Sequence, residues 1–206
     1  PLVSYSQFEF ELTYHYHLEK VVENEISSYK NDTITWEPRS ARFAYVRSYT
    51  ELLKVYKSGN IEYLTIDGVD LDSIEFDSLI GLKSLHLENC KIENLQFHSV
   101  DLLEEIWIGD CSTVSSSISF KNCSALTKLN IDVFSNRLIN ELNFCSNLEL
   151  LVLVGINTNQ EFLEQLNSLK NINYLFLIEF KYSNSQIDHM TKSYRELFPE
   201  ANIAIM

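Results

Sequence analysis

The chain has 206 residues, 45% of them hydrophobic, which is enough to bury a sizeable core. It contains no run of eighteen or more apolar residues, so no membrane-spanning helix is expected. A formal charge of −13 disfavours nucleic acid and anionic membranes as partners and favours basic surfaces.

The opening PLVSYSQFEF has no basic segment followed by an apolar one. No secretory signal is read there, and a leader removed before Pro1 stays open. FEFELTYHYHLE then alternates, with Phe8, Phe10, Leu12, Tyr14, Tyr16 and Leu18 set against polar neighbours. That is strand periodicity with one buried face. TITWEP and ARFAYVR are expected as shorter strands, the first closed by Pro38. HYHLEKVVENEISSY also fits a helix, and SYTELLKVYKSG predicts one capped at Ser48 or Thr50 and ended by Gly59. Residues 1–60 are thus expected to form a capping region. His15 and His17 would share a strand face, but no third metal ligand stands at a recognised spacing. They are read as solvated surface residues, and no metal or cofactor is expected.

From residue 61 a spacing recurs. Ile61-x-x-Leu64-x-Ile66 is followed by Leu82-x-x-Leu85-x-Leu87, Leu103-x-x-Ile106-x-Ile108 and Leu126-x-x-Leu129-x-Ile131. Leu148-x-x-Leu151-x-Leu153 and Ile172-x-x-Leu175-x-Leu177 complete six copies, with steps of 21 to 24 residues between their middle positions. A second series, Ile74-x-Phe76, Leu95-x-Phe97, Ile118-x-Phe120 and Leu142-x-Phe144, lies between the first set. These pairs are expected as short extended segments filling the core from behind. Further on, NTNQEFLEQLNSLKN and SNSQIDHMTKSYRELFPEA carry apolar residues at helical spacing. Phe162, Leu163, Leu166 and Leu169 mark the first; Ile187, Met190, Tyr194, Leu197 and Phe198 mark the second, stopped by Pro199. Asn202 to Ile205 reads as a closing strand.

The spacing and its period resemble the leucine-rich repeat family. FKNCSALTKLNI, Phe120 to Ile131, is similar to the treponemal subclass of its bacterial members. The resemblance, over residues 61–206, implies an α/β solenoid with one parallel strand per coil on a concave face. Short extended segments would back the early coils, helices the late ones, and a β-rich and helical cap would cover residues 1–60. One such coil cannot bury its own leucines, whereas stacked coils can.

Cys90 and Cys111 fall at the Asn/Cys position of the repeat, and Cys123 and Cys145 each lie three residues before a repeat leucine. All four are expected in buried, reduced columns, which fits a cytoplasmic or otherwise reducing compartment; disulfides between neighbouring coils are the alternative. No C-x-x-C pair points to zinc or redox chemistry.

Side-chain alternation puts a second set of residues outward on the strands. In chain order these are Tyr63, Thr65, Asp67; Ser84, His86, Glu88; Glu105, Trp107, Gly109; Lys128, Asn130, Asp132; Leu150, Val152, Val154; and Tyr174, Phe176, Ile178. The early ones are polar and acidic around one tryptophan, and the last six are apolar. Residues 61–110 alone hold twelve Asp/Glu against two Lys/Arg. His86 beside carboxylates could do acid–base work, but no nucleophile motif or glycine-rich phosphate loop accompanies it, so no catalysis is expected. Exposed apolar surface beside an acidic rim suits a basic protein partner. The expected binding residues are Tyr63, Asp67, His86, Glu88, Glu105, Trp107, Asp132, Leu150, Val152, Tyr174, Phe176 and Ile178. The family resemblance implies a protein-binding scaffold and leaves its target open. An immunity-type inhibitor of a toxin fits the charge; a secreted or surface adhesin or effector is the alternative. Burial of the apolar outward patch, under the C-terminal segment or in a dimer, is the competing account of that patch.

Overall fold

A computed structural model describes residues 42–58, 61–71, 74–76, 78–97, 100–113, 118–121, 123–132, 136–154, 171–178 and 201–205. It also describes Leu166, Leu169, Lys192, Tyr194 to Glu196, Phe198 and Pro199. The alternating strand expected at residues 8–19, TITWEP, His15 and His17 lie outside these residues.

The chain builds a large, wholly parallel sheet with few helices, an α/β-type fold. Its strands are β1 (Phe43–Val46), β2 (Tyr63–Asp67), β5 (Ser84–Glu88), β8 (Glu105–Gly109), β11 (Lys128–Ile131), β12 (Leu150–Val154), β13 (Tyr174–Ile178) and β14 (Asn202–Ile205). They lie side by side in that order. The sequence explains both pairing and register. Each strand carries an apolar residue at every second position, so it has one face to bury. Matching those faces aligns Ala44, Leu64, Leu85, Ile106, Leu129, Leu151, Leu175 and Ile203 across the sheet. All eight are buried, none more than 5% exposed. A second inward column runs Val46, Ile66, Leu87, Ile108, Ile131, Leu153 and Leu177.

The sheet starts before residue 61. β1 pairs with β2, Phe43 opposite Tyr63, so a strand expected in the capping region continues the same sheet. The expected closing strand is β14, parallel to β13. Between β1 and β2 runs α1 (Tyr49–Ser58), which buries Leu52 and Val55. Ser48 starts it: the Glu51 amide donates to Ser48 Oγ at 3.3 Å, and Glu51 Oε2 accepts from the Arg47 amide at 2.8 Å. This reciprocal arrangement satisfies amides that the first helical turn leaves without partners.

Two smaller parallel sheets lie between successive large strands along the chain. One contains β3 (Asp70–Leu71), β6 (Lys91–Ile92) and β9 (Ser112–Thr113). The other contains β4 (Ile74–Glu75), β7 (Leu95–Gln96) and β10 (Ile118–Ser119), the extended segments expected from the second apolar series. Just beyond the latter, Phe76, Phe97 and Phe120 are fully buried and stack with centroids 5.5 Å apart on both sides of Phe97.

The fourth pair departs from the expectation. Leu142 ends α2 (Asn136–Leu142) and is buried, whereas Phe144 lies beyond it, 49% exposed. Leu138 and Leu142 are four apart, so the helix buries both on one face, and an extended segment is not needed. Helical backing therefore begins earlier in the chain than expected. Of the two helices expected later, Leu166 in the first and Tyr194 to Glu196 in the second are helical, and Leu166 and Tyr194 are buried. Among the described residues no helix is long and apolar enough to cross a membrane.

The outward face of the large sheet as a candidate binding site

The strand register sorts the outward side chains into rows running across the sheet. One row is Phe43, Tyr63, Ser84, Glu105, Lys128, Leu150 and Tyr174. The next is Tyr45, Thr65, His86, Trp107, Asn130, Val152 and Phe176. Along the strands' C-terminal ends lie Asp67, Glu88 and Gly109, with Asp132 just past β11, then Val154 and Ile178.

Phe43 and Tyr63 remain exposed and stack with centroids 4.7 Å apart. Leu150, Val152, Val154 and Tyr174 are half-buried. Phe176 corrects the expectation that the late outward residues are all open: it is only 3% exposed. Phe176 is thus buried within the single chain. Ile178 pairs with Val154 along the backbone.

Asp67 is embedded in a network that sequence reasoning missed. Tyr45 donates its hydroxyl to Asp67 Oδ2 at 2.6 Å, and Asn89 Nδ2 donates to Oδ1 at 3.0 Å. Arg47 donates to the Tyr45 oxygen at 2.8 and 3.0 Å, lies over its ring, and approaches Asp67 Oδ2 at 3.5 Å. The Tyr45 hydrogen bond, then that of Asn89, holds the Asp67 carboxyl below its ordinary range, with Arg47 adding to the effect. Its negative charge is therefore already answered within the chain. The alternation of Phe43, Ala44, Tyr45 and Val46 was the available signal for Tyr45; nothing in the sequence pairs Arg47 with a residue twenty positions on.

Asp132 has the opposite character. Its Oδ1 is buried with no hydrogen-bond partner among the described residues, while its other oxygen accepts from the Asp110 amide. Desolvation pushes its carboxyl up, and the charge of Asp110 adds to this against the backbone hydrogen bonds. The two carboxylates thus have opposite linkage to folding. Asp67 contributes stability that is present above the ordinary aspartate value of about 3.9 and is lost as pH falls through its depressed folded value. Asp132 costs stability at neutral pH, and that cost is relieved as pH falls through its raised value. Urea midpoints followed from pH 7 to 2 should therefore show Asp67→Asn flattening the acid-side loss. Asp132→Asn, which keeps an acceptor for the Asp110 amide, should raise the neutral-pH midpoint, with the gain vanishing below about pH 4. A neutral-pH midpoint lower than that of the parent would contradict the burial cost assigned to Asp132.

Trp107 stands at the centre of the face, half-buried, with the His86 ring 5.6 Å away and tilted by 40°. Gly109 gives it room. A Cβ there would meet Trp107 Nε1 at 2.8 Å and Cδ1 at 3.5 Å, so the five-membered part of the indole lies over the glycine. Glu88, in register with Gly109, is exposed; Glu105, two residues before Trp107 on the same strand, is half-buried.

Beneath this face lie the thiols. Cys90 and Cys111 have matching surroundings one pass apart. The first reaches the carbonyls of Glu88 and Ile66 at 3.2 and 3.4 Å, the second those of Gly109 and Leu87 at 3.2 and 3.5 Å. The Cys90 amide donates to Cys111 Sγ at 3.4 Å. Hydrogen bonding from Cys111 lowers the Cys90 value, while Cys90 and desolvation raise that of Cys111, so any thiolate of the pair resides on Cys90. Burial, with Asp101 adding, pushes Cys123 up to about 12; burial likewise raises Cys145. All four are free and buried. Native protein near pH 8 should take no thiol label at Cys123 or Cys145, and denatured protein should take four. Rapid native labelling of either would contradict their burial.

Among the described residues no group of three or more His, Cys, Asp or Glu is placed to hold a metal ion. No protein-family model matches the chain, and no curated protein matches it.

Proposed function

We propose that the chain is a leucine-rich-repeat solenoid acting as a non-enzymatic protein-binding module, with a basic partner protein seated on the outward face of its large sheet. The observation that carries this reading is the meeting on one surface of accessible aromatic and aliphatic side chains with carboxylates. Phe43, Tyr63 and Trp107 lie at the early strands, Leu150, Val152 and Tyr174 at the late ones, and Glu88 and Glu105 between. Aromatic anchors supply binding energy and charge supplies orientation and encounter rate. The strand order, in which each pass of the chain pairs with the next in constant register, supports the solenoid. Inhibition of a toxin that acts on nucleic acid, whose own surface must be basic, suits such a face.

Steering comes from the acidic rim of the face, Glu88 and Glu105 included; Asp67 is paired with Arg47. The test is capture of a partner from the host's lysate, then amide-exchange mapping of the complex. Protection should fall on β5, β8 and their neighbours in the large sheet. Reversing Glu88 and Glu105 to lysine should slow association by about tenfold at low salt and flatten its salt dependence. Protection confined to α1 or to the small sheets would overturn the reading.

A further inference from the structure

We propose that Cys90 and Cys111 are a peroxide-oxidisable thiol pair that closes reversibly into a disulfide, tying the end of β5 to the end of β8. Sequence and register bring the two thiols to one place. Asn89 and Asp110 take left-handed backbone angles, with φ of 52° and 51°, which their short polar side chains tolerate. Each follows a large strand directly and is itself followed by a cysteine. The two turns nest. The Asn89 amide donates to the Gly109 carbonyl at 3.2 Å, and the Ser112 amide to the Cys90 carbonyl at 2.9 Å. Backbones paired in this way lie about 4.8 Å apart, inside the Cα separation of about 4.4–6.8 Å that a disulfide spans. Cys111 Sγ already lies against Cys90 and accepts its amide at 3.4 Å. The residue before Cys90 in the same column is the buried Val69, so no third thiol precedes the pair.

Access and electron count decide the oxidant. Two thiols that become a disulfide give up two electrons and two protons, and an acceptor must take them. Cys111 is 9% exposed and Cys90 only 1%. A bulky disulfide has to bring its sulfur in line with the attacking thiolate, which so small an opening does not admit. Hydrogen peroxide is hardly larger than water. The thiolate of the pair is that of Cys90. Its sulfur attacks one peroxide oxygen, the O–O bond breaks, and the hydroxide that leaves takes up the proton Cys90 lost, giving water. Cys90 is then a sulfenic acid. The Cys111 sulfur attacks the Cys90 sulfur and the S–O bond breaks. The departing hydroxide takes the Cys111 proton and leaves as a second water. One peroxide is reduced to two waters, and two thiols are oxidised to one disulfide. Closing the bond draws Cys90 Sγ off the Glu88 and Ile66 carbonyls, 3.2 and 3.4 Å away. Those contacts are regained on reduction, so a dithiol reopens the bond. Cys123 and Cys145 are the comparison within the same chain, since burial holds both as thiols.

The test treats the reduced whole chain near pH 7 with hydrogen peroxide, and in parallel with glutathione disulfide, at doses that fully oxidise free cysteine. Remaining thiols are blocked with N-ethylmaleimide, and the protein is digested with trypsin without reductant. The peptides Ser84–Lys91 and Ile92–Lys121 carry one cysteine of the pair each. After peroxide they should appear joined, lighter than their sum by two hydrogens, and dithiothreitol should separate them. Asn122–Lys128 and Leu138–Lys170, which carry Cys123 and Cys145, should carry N-ethylmaleimide. The pair should be consumed at least about tenfold faster than either of those thiols. Glutathione disulfide should give neither link nor adduct in the same time. The oxidised chain should unfold several degrees above the reduced one, because the bond closes a loop spanning 21 residues, and dithiothreitol should return the midpoint. Cys111→Ser should abolish the link and leave a sulfenic acid on Cys90 that dimedone traps; the parent alone decides if this variant does not fold. Four free thiols after that dose, a link other than Cys90 to Cys111, a bond between two chains, or loss of all four thiols at one rate overturns the proposal. So does glutathione disulfide acting as fast as peroxide, or a folded Cys111→Ser that takes no dimedone.

Discussion

Replacing Phe97 by alanine is expected to lower stability by about 3–5 kcal/mol. Phe97 is the middle ring of three, with Phe76 and Phe120 each 5.5 Å away and nearly parallel to it. Both neighbours would lose a stacking partner at once, and the cavity would open where relaxation is restricted. β7, which leads into Phe97, is held by β4 on one side and β10 on the other, and the Phe97 amide donates to the Ser119 carbonyl at 2.9 Å. The backbone therefore cannot shift to close the gap without breaking pairs on both sides. Leu129→Ala, in the middle of the large sheet, should cost about 2–5 kcal/mol for the same reason. Phe144→Ala is the control: its ring is 49% exposed, so truncation should stay within about 0.5 kcal/mol. Urea unfolding followed by circular dichroism and by fluorescence checks this, with coincident transitions required before free energies are compared. A loss of less than about 1 kcal/mol at Phe97 would show that the ring stack does not belong to the core.

The strands were legible because parallel pairing in constant register imposes a rule that sequence can display. Each strand must present its apolar residues at the same height as its neighbours, and Leu64, Leu85, Ile106, Leu129, Leu151 and Leu175 record that match. β1 obeys the same rule with Ala44 and Val46, residues too small or too common to stand out beside the leucines. Leu142-x-Phe144 shows the reverse failure: its spacing copies the earlier pairs, yet Leu138, one helical turn back, makes a helix the better way to bury Leu142. Phe176 and Asp67 mark a different limit. Alternation tells which face a side chain leaves from, and it says nothing about what other parts of the chain lay over that face or bring beside it. Phe176 is outward by alternation and buried by the rest of the molecule. Asp67 is acidic by sequence and neutralised by Arg47 and Tyr45, which only the β1–β2 pairing delivers.

That distinction sharpens the second large expected effect. Trp107→Ala should reduce partner affinity by about thirtyfold or more, equivalent to about 2 kcal/mol, chiefly by faster dissociation. Its ring is half-buried, so if the proposed binding face is right, truncation removes contact with the partner and leaves the inward columns intact. Phe176→Ala should do the opposite. With 3% of its surface open it has little to offer a partner, so its loss should appear in the unfolding midpoint, and association at temperatures well below that midpoint should change little. Gly109→Ala separates position from presence: the added methyl would meet the indole at 2.8 Å and displace it while keeping its chemistry. An affinity loss at Gly109→Ala approaching that of Trp107→Ala, with the unfolding midpoint unchanged, would show that the partner reads the placement of the ring. If Trp107→Ala binds as tightly as the parent while Phe176→Ala does not, the partner does not use the centre of this face.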